Sequence, residues 1–416
     1  MRTVIRHILP LQVLFAWRYF KSKKSLQAIN IISRITTISI AVGTAALLIV
    51  LSIFNGFEGL VKDLYASFYP DIRIVHKQIP VYELSPAQYQ QLTRVAGIKT
   101  TSLTLESNGL FQYENNRVNL VMKGVDENYA SVSGLPERIT KGIYSTGDEN
   151  RPFAVIGNGL ENALRVETDR TLLPITAYVP KKNSAITQNP MDAISTFTIY
   201  PVGSFSIQQE FDNRYAITHI TLLRQMLGIS ERSVSSVEMK LDASADEKTV
   251  MAQLRKIMGD DYLIENRYQQ NKTLYGVMQS EKWVIFGILG FILVLASFNM
   301  LGTLTLLVLE KQKDIQIIKA LGAHEHWIFR VFLTESVFIG LIGGLLGWIA
   351  AFTFCFLQQT FHLIPLQGSF VIDYYPVKMM TTDVLLVILI ILIIAILAGI
   401  YPSRKASQKQ FSLKAQ

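Results

Sequence analysis

An uncharged run of 27 residues, 283–309, most constrains what this chain can fold into. A run longer than the roughly 20 apolar residues that cross a bilayer predicts a membrane helix that is tilted or projects beyond it. A charged stretch at 310–323 follows, and the apolar sequence resumes near Trp327. Because anchoring needs no polar, amphipathic connector between two spans, we interpret this one as a surface offered to another molecule.

Three further apolar runs, 35–54, 328–361 and 384–401, are long enough to span a membrane. Only Arg330 and Glu335 interrupt the second of these, near its start. Basic residues lie before the first span, on the connector and after the last span, which predicts that these three segments are cytoplasmic. Two loops then lie outside, a large one between spans 1 and 2 and a short one between spans 3 and 4.

Composition supports this layout and excludes several classes of protein. Half of the residues are hydrophobic, and the net charge of +8 comes from basic residues that cluster beside the spans. This is the pattern of a membrane protein, and we expect no nucleic-acid binding. The single cysteine, Cys355, lies in an apolar run, which excludes a disulfide or a cysteine metal site within one chain.

The sequence also lacks the common catalytic motifs. It contains no GxxxxGK[ST], HExxH or GxSxG motif, so we predict no catalytic residue and no ATP site in this chain. His324 and His326 point in different directions on a helix and have no third ligand nearby, so no metal site is predicted. The spans hold almost no acidic residues or histidines, which argues against a proton-coupled carrier.

The large outer loop has the pattern of an α+β domain. Strands are predicted at 71–76, 99–105, 110–124, 234–241 and 262–265, and Asn115-Asn116 indicates a hairpin turn. Ser85 and a capping box at 244–247 each predict the start of a helix. Strand, helix and strand thus occur near both ends of the loop, which predicts one unit assembled from both ends with an insertion of short strands between.

Four other features each allow two interpretations. The two GxxxG pairs of the third span predict close helix packing, within one chain or between two copies. The proline-bracketed segment 180–190 is a hairpin tip or a protruding hook for a partner. The run QEFDNR at 209–214 is a charged turn or only a solvated loop. Four phenylalanines near spans 1 and 2 line a lipid cleft or pack between helices. The residues are Gly340, Gly344, Gly343 and Gly347 for the glycine pairs, and Phe54, Phe57, Phe286 and Phe291 for the cleft.

Several blocks of sequence resemble the LolC/LolE permeases of the lipoprotein-releasing ABC transporter, within the broader group that includes MacB and FtsX. The blocks are FAWRY at 15–19, LSIFNGFE at 51–58, SFN at 297–299, LEKQ at 309–312, IQIIKALG at 315–322 and YPSRKA at 401–406. The EFD block within 209–214 is similar to LolE, whereas a hook at 180–190 would be similar to LolC. One chain that serves both roles as a homodimer is therefore a hypothesis.

The resemblance implies a fold, a set of partners and a location. The fold class is a membrane protein of four transmembrane helices with an α+β periplasmic domain of two subdomains inserted between helices 1 and 2. The implied partners are a LolD-like ATP-binding subunit dimer, a second permease copy or paralogue, a periplasmic LolA-like carrier, lipoproteins and membrane lipid. ATP and Mg would be held by the partner ATPase, and the location would be the bacterial inner membrane.

Particular residues take roles by the same resemblance. The connector would be the coupling helix for the ATPase, through Glu310, Lys311, Lys313, Asp314, Ile317, Leu321 and Gly322. The hook would bind the carrier through Pro180, Lys181, Lys182, Ile186 and Pro190. Lipoproteins would be extracted from the membrane and handed to the carrier. The alternatives are an efflux pump similar to MacB, an activator of cell-wall hydrolases similar to FtsX, and a membrane sensor or anchor outside the ABC transporters.

The predicted boundaries follow from the spans and the resemblance. They are an N-terminal interfacial helix at 1–34, transmembrane helix 1 at 35–56, the periplasmic domain at 57–281, transmembrane helix 2 at 283–309, the coupling helix at 310–327, transmembrane helix 3 at 328–361, a short periplasmic loop at 362–382, transmembrane helix 4 at 383–402 and a tail at 403–416. Within the periplasmic domain they are a core at 57–125 and 231–270, an insertion at 126–230 and a stalk at 267–282.

Overall fold

The computed structural model describes residues 27–148, 151–169, 174–181, 194–366 and 374–408. Its helices are α1 (Gln27–Phe68), α2 (Pro86–Thr93), α3 (Tyr129–Val132), α4 (Asn158–Leu164), α5 (Gln209–Asp212), α6 (Ile220–Leu227), α7 (Glu247–Met258), α8 (Arg267–Gln270), α9 (Lys272–Glu310), α10 (Gln312–Ala320), α11 (Glu325–Phe361) and α12 (Thr381–Gln408). Its strands are β1 (Ile72–His76), β2 (Tyr82–Glu83), β3 (Ile98–Tyr113), β4 (Asn116–Val125), β5 (Ile139–Gly142), β6 (Phe153–Gly157), β7 (Ile175–Pro180), β8 (Ile194–Phe205), β9 (Tyr215–His219), β10 (Ser233–Val234), β11 (Ser236–Leu241) and β12 (Tyr262–Asn266).

The chain divides into two compact units, which we call the outer domain and the membrane unit. The outer domain is residues 60–276, and the membrane unit contains the four long helices α1, α9, α11 and α12 with their connections. Each of these four helices is long and apolar enough to cross a membrane. The predicted layout of four apolar helices with an α/β domain is therefore confirmed. The predicted domain boundaries stay predictions, and those of 1–26 and 409–416 fall outside the described residues.

A ten-stranded sheet forms the centre of the outer domain. Its order is β12-β1-β11-β3-β4-β9-β6-β8-β5, and β7 pairs with both β3 and β8. Neighbouring strands are antiparallel except for β4 with β9 and β6 with β8. Strands from the predicted core and from the predicted insertion therefore share one sheet, and they belong to one compact unit.

The two faces of this sheet bury different side chains. One face packs beneath helices α2, α4, α6 and α7 and carries aliphatic residues such as Ile72, Leu105 and Met122. The opposite face is covered by Phe68, near the end of α1, and by Tyr129 of α3. Side chains alternate between faces along each strand, so one strand serves both layers.

The β3–β4 hairpin corrects one sequence prediction. The strands 99–105 and 110–124 were expected to be separate, but β3 continues without a break from Ile98 to Tyr113. Pairing of Ser107, Asn108 and Gly109 with β4 holds the polar stretch in the strand. The turn itself lies where the Asn-Asn signal predicted it, and Glu114 there has a positive φ of 51°. Strand pairing therefore overrides a local preference for a loop.

Helix starts in the outer domain follow their capping residues. Ser85 caps α2 through a complete capping box with Gln88, as the sequence predicts. The second prediction is wrong by two residues, because Asp246 and not Ser244 caps α7 by accepting a hydrogen bond from the Thr249 backbone N–H. The helix ends at Gly259, as predicted. Aspartate is as good an N-cap as serine, so the sequence contains two possible caps for this helix, Ser244 and Asp246.

Glycines set the helix contacts inside the membrane unit. A Cβ at Gly340 would lie 2.8 Å from the Ala395 Cβ on α12. On the neighbouring side of α11, a Cβ at Gly347 would lie 2.5 Å from the Ala41 carbonyl oxygen on α1. Gly344 faces α12 as Gly340 does, and Gly343 faces α1 as Gly347 does. Both GxxxG pairs thus lie in contacts within one chain, and α11 packs between α1 and α12.

Candidate functional site

The connector between the second and third long helices is a separate short helix. Lys311 lies between α9 and α10, and Gly322 follows α10 with a φ of +94°. Inside the unit, Ile315 of α10 packs with Ile328 and Phe332 of α11. Because residues with a side chain rarely adopt that φ, Gly322 allows the sharp reversal into α11. The connector is therefore fixed on its inner side by apolar contacts.

The other side of α10 exposes apolar side chains. Ile317 is 60% exposed and Leu321 is 82% exposed, and the exposed Lys313 lies on the same helix. Isolated exposed hydrophobic residues are common on proteins, but here one lies on α10 and the other at its C-terminal cap, and Ile315 fixes this helix from behind. This face, Lys313 with Ile317 and Leu321, is a surface suited to a protein partner, and we call it the connector face.

The remaining predicted coupling residues take part in contacts of the connector itself. Lys311 lies 3.7 Å from Asp314. One carboxyl oxygen of Glu310 is buried and has no hydrogen-bond partner among the described residues. Lys319, which was not predicted, donates a hydrogen bond of 2.6 Å to the Ser407 carbonyl oxygen of α12. Of the seven predicted residues, Lys313, Ile317, Leu321 and Gly322 are exposed, and the others are partly buried.

The two described residues of the predicted hook, Pro180 and Lys181, lie at and just after the end of strand β7. Strands β7 and β8 pair antiparallel up to Pro180 with Ile194. Three of the predicted hook residues, Lys182, Ile186 and Pro190, fall outside the described residues. Beside the last residue pair of these strands is a groove of about 510 Å³, lined among others by Leu110, Arg117, Tyr178, Pro180 and Ile194. A mainly apolar groove at this end of the paired strands is compatible with contact to a partner there.

Two residues of the EFD block, Phe211 and Asp212, are buried in the outer domain. Phe211 is buried against Phe68, with ring centroids 4.4 Å apart. The carboxyl of Asp212 accepts hydrogen bonds from the Ile207 backbone N–H and from Ser206. Burial nevertheless raises the pKa of Asp212, since the desolvation of its charge outweighs these bonds. The interpretation of 209–214 as only a solvated loop is therefore wrong for these two residues.

The four phenylalanines of the predicted lipid cleft differ in exposure. Phe54 and Phe57 of α1 are half-buried. Phe286 of α9 packs against the core of the membrane unit, whereas Phe291 is 62% exposed. Helix packing accounts for Phe286, and a lipid contact at Phe291 stays a prediction.

One polar cluster in the membrane unit was not predicted. The Asn55 side chain is 1% exposed and bonds to Lys282 of α9 and to Asp383 of α12. In the sequence, Asn55 belongs to the LSIFNGFE block at 51–58, and no contact with Lys282 or Asp383 was predicted for it. A buried asparagine in a span requires partners, and that requirement is the signal that could have found the cluster.

Comparisons with known proteins agree with this architecture. A MacB-like periplasmic core domain family model matches residues 33–257, just over half of the chain. An FtsX-like permease C-terminal family model matches residues 286–411. Together the two models match most of the outer domain and all or part of each of the four long helices.

Full-length relatives also match. The chain is 26% identical to the lipoprotein-releasing system transmembrane protein LolC of Neisseria meningitidis, covering 95% of this chain and 97% of that protein. It is 24% identical to LolE of Haemophilus influenzae, covering 95% of this chain and 96% of that protein.

The periplasmic region of MacB from Actinobacillus actinomycetemcomitans matches with a TM-score of 0.36 at 14% identity, covering 51% of this chain and 94% of that one. The predicted resemblance to LolC and LolE, with FtsX-like and MacB-like domains, is confirmed, and the chain is a multi-pass membrane protein.

Proposed function

The chain belongs to the family defined by the MacB-like periplasmic core domain, and we propose that it is a permease subunit of an ATP-driven transporter that releases lipoproteins. The observation that carries this proposal is the connector face. It presents Ile317 and Leu321 outward from a helix that Ile315 fixes to the membrane unit. The full-length relatives named as lipoprotein-releasing proteins support the choice of cargo.

Energy enters through a separate subunit in this proposal. The sequence contains no P-loop, so a partner of the LolD type, as a dimer, supplies the ATP and Mg site. The connector face is its docking surface, with the exposed Lys313 beside the two apolar side chains. A second permease, either another copy or a paralogue, completes the membrane part.

In this proposal, ATP hydrolysis moves the outer domain on the periplasmic side of the membrane. The long helices α1 and α9 continue from the membrane unit into the outer domain and are its covalent connections to the spans. ATP-driven movement of these helices changes the outer domain, so that no substrate crosses the bilayer. Lipoproteins leave the bacterial inner membrane and pass to a carrier of the LolA type at the β7–β8 hairpin.

The outer domain moves as two subdomains in this proposal. The order of strands in the sheet supports the division. Strands of the predicted core, β12-β1-β11-β3-β4, occupy one end of the sheet, and strands of the predicted insertion, β9-β6-β8-β5, occupy the other. The hairpin that carries 182–193 belongs to the insertion.

Leu321→Asp tests the docking surface directly. Leu321 is exposed and carries no packing of its own, so the chain should fold normally. A charge at an apolar anchor should weaken copurification of the ATPase subunit at least about tenfold. His326→Asp is the matched control, because it adds the same charge at an exposed position on the same side of the membrane unit. Equal loss of copurification in both variants, or in neither, would contradict the proposed docking surface.

Depletion of the protein separates lipoprotein release from its main alternative. The FtsX-like match over 286–411 also fits a permease that exports another molecule or activates cell-wall hydrolases. After depletion, membranes are fractionated and lipoproteins are quantified in each fraction. Lipoproteins retained in the inner membrane are the expected result. Normal sorting together with defective efflux or cell-wall cleavage would favour the alternative.

A further inference from the structure

The Asn55 side chain joins three of the four long helices. Its Nδ2 donates hydrogen bonds to Asp383 Oδ2 at 2.5 Å and to the Lys378 carbonyl oxygen at 3.4 Å. Its Oδ1 accepts a hydrogen bond from Lys282 Nζ at 2.8 Å. The amide thus presents its oxygen to a cation and its nitrogen to an anion, which uses both ends of the group. We call Asn55, Lys282 and Asp383 the amide clasp.

The chain segment before α12 lies against α1 beside this clasp. A Cβ at Gly56 would lie 2.3 Å from the Pro376 carbonyl oxygen, so only glycine allows this approach. The Lys378 backbone N–H donates a hydrogen bond of 2.8 Å to the Ser52 carbonyl oxygen. Gln359 of α11 donates to the Val377 carbonyl oxygen at 2.8 Å. Residues 374–380 are therefore fixed to α1 and α11, and they hold Asp383 in place for Asn55.

Helix α9 is attached differently from the other spans. Near the clasp it exposes most of its side chains, including Trp283, Val284 and Ile288. At the other end of the span, Thr303 and Thr36 of α1 form a buried hydrogen bond of 2.6 Å. The end of α9 that the sequence predicts to face the periplasm is thus held by the hydrogen bond from Lys282 to Asn55 and by apolar contacts of Phe286 and Leu289 with the core of the membrane unit. Polar contacts at a membrane surface can be replaced by water, whereas buried apolar packing cannot.

We propose that Asn55 is a positioning residue of the transport cycle, and that separation of Lys282 from Asn55 frees the outer end of α9 to move. The inference rests on the proposed function for its role in lipoprotein release, but the clasp itself does not depend on the cargo. With the clasp closed, α9 is held to α1 and α12. With it open, α9 moves while the remaining contacts of α1 with residues 374–380 stay in place.

The experiment measures the distance between the outer ends of α1 and α9. Nitroxide labels are placed through Gly59→Cys and Val284→Cys in a chain that carries Cys355→Ala, and the full chain is reconstituted with its ATPase subunit in lipid nanodiscs. In the parent chain, we expect a narrow distance distribution that broadens or shifts in one nucleotide state. Asn55→Leu should give the broad, shifted distribution in every state.

An exchange of groups separates a positioning role from a merely structural one. Asn55→Asp alone repels the Asp383 carboxylate but keeps an acceptor for Lys282, so it should break the contact with α12 and impair lipoprotein release while the α1–α9 distribution stays narrow. Adding Asp383→Asn re-forms the contact with the amide and the carboxylate exchanged, so lipoprotein release should return and the distribution should stay narrow. The matched control is Thr303→Val, which removes the hydrogen bond at the other end of the span and should leave the outer distance unchanged.

The outcomes distinguish this inference from the proposed function. An unchanged distance in Asn55→Leu, in complexes that assemble normally, overturns the clasp. So does a double variant that assembles but does not keep the parent distribution. If the distances respond as expected while lipoproteins sort normally in the absence of the protein, the clasp is supported and lipoprotein release is wrong. Loss of release in Asn55→Leu by at least tenfold, with its return in the double variant, supports both.

Discussion

The outer domain and the membrane unit achieve close packing by different means. In the outer domain, a charged side chain lies in the interior between strands, since Lys123 is only 2% exposed. In the membrane unit, helices approach through glycines, as at Gly347 and Gly340. The hydrophobic effect stabilises the outer domain, and this free energy offsets the cost of burying a paired charge. Between helices in lipid that driving force is absent, so close backbone approach takes its place.

The buried lysine shows how such a charge is held. Lys123 Nζ lies 2.7 Å from Glu238 Oε1 and 3.7 Å from Glu106 Oε1. The rings of Phe68 and Tyr129 lie 4.9 and 5.0 Å from the same nitrogen. The two carboxylates raise the pKa of Lys123, although burial alone would lower it. The lysine therefore stays charged, and its positive charge compensates the negative charges of Glu238 and Glu106.

The largest effect is expected from Lys123→Met, which keeps the bulk and removes the charge. The variant leaves Glu238 buried without its cation, and such changes typically cost about 3–5 kcal/mol. Hydrogen exchange of the full chain, followed on peptides from β4 and β11, should show a corresponding loss of protection. Lys77→Met is the control, since Lys77 is exposed on the same domain.

A double variant sharpens this prediction. Lys123→Met with Glu238→Met replaces the ion pair by apolar groups and should recover most of the lost stability. A double variant as unstable as the single one would show that the pair has another role in the fold.

Gly347→Ala should have the next largest effect, and it should act on the membrane unit alone. The added Cβ meets the Ala41 carbonyl oxygen and Thr44, which forces α1 and α11 apart at a cost of about 1–3 kcal/mol. Tryptophan fluorescence during thermal unfolding in detergent is a selective measure, because the outer domain contains no tryptophan. In the control Gly290→Ala on α9 the Cβ meets nothing within 4 Å, so the melting temperature should be unchanged or slightly higher.

The smallest predicted effect depends on pH and belongs to the outer domain. Burial raises the pKa of the Tyr215 hydroxyl to about 12, and the Glu106 carboxylate acts in the same direction. An unfolded tyrosine ionises near pH 10, so above that pH the unfolded state releases its proton first and stability falls. At pH 11 the loss from this residue should be about 1 kcal/mol.

Tyr215→Phe should remove that part of the alkaline loss and keep the ring packed against Phe68. The measurement is the urea midpoint of the outer-domain transition at pH 8 and pH 11, followed by near-ultraviolet circular dichroism of tyrosine. The membrane-unit transition, followed by tryptophan fluorescence, should be the same in both chains. An identical pH dependence of the outer domain in both chains would contradict the assignment to Tyr215.

Local signals in the sequence predicted the features that depend on neighbouring residues. Apolar runs predicted the four long helices, the Asn-Asn pair predicted the hairpin, and Ser85 predicted a helix start. The GxxxG spacing predicted close packing but could not distinguish a contact within the chain from one between copies. That distinction depends on which helix lies opposite Gly343 and Gly347, and no local pattern contains this information.

Features that join distant parts of the chain were missed for the same reason. Lys123 and Glu238 are 115 residues apart in sequence, and Asn55 and Asp383 are 328 apart. The local pattern around each of these residues does not say which distant residue is its partner. The long strand β3 was divided in the prediction because its polar middle looks like a loop until β4 pairs with it. Pairing partners at such separations are set by the whole fold.

The pairing of β3 with both β7 and β11 has a mechanical consequence. Leu110, Phe111 and Gln112 of β3 pair with β7, and an earlier part of the same strand, Ile98 to Thr104, pairs with β11. A pull on the far end of the β7–β8 hairpin acts along the strands, while the hydrogen bonds between antiparallel strands lie across them. Such a force loads these bonds together in shear and does not unzip them one at a time. Strand β3 then transmits tension from one end of the sheet to the other.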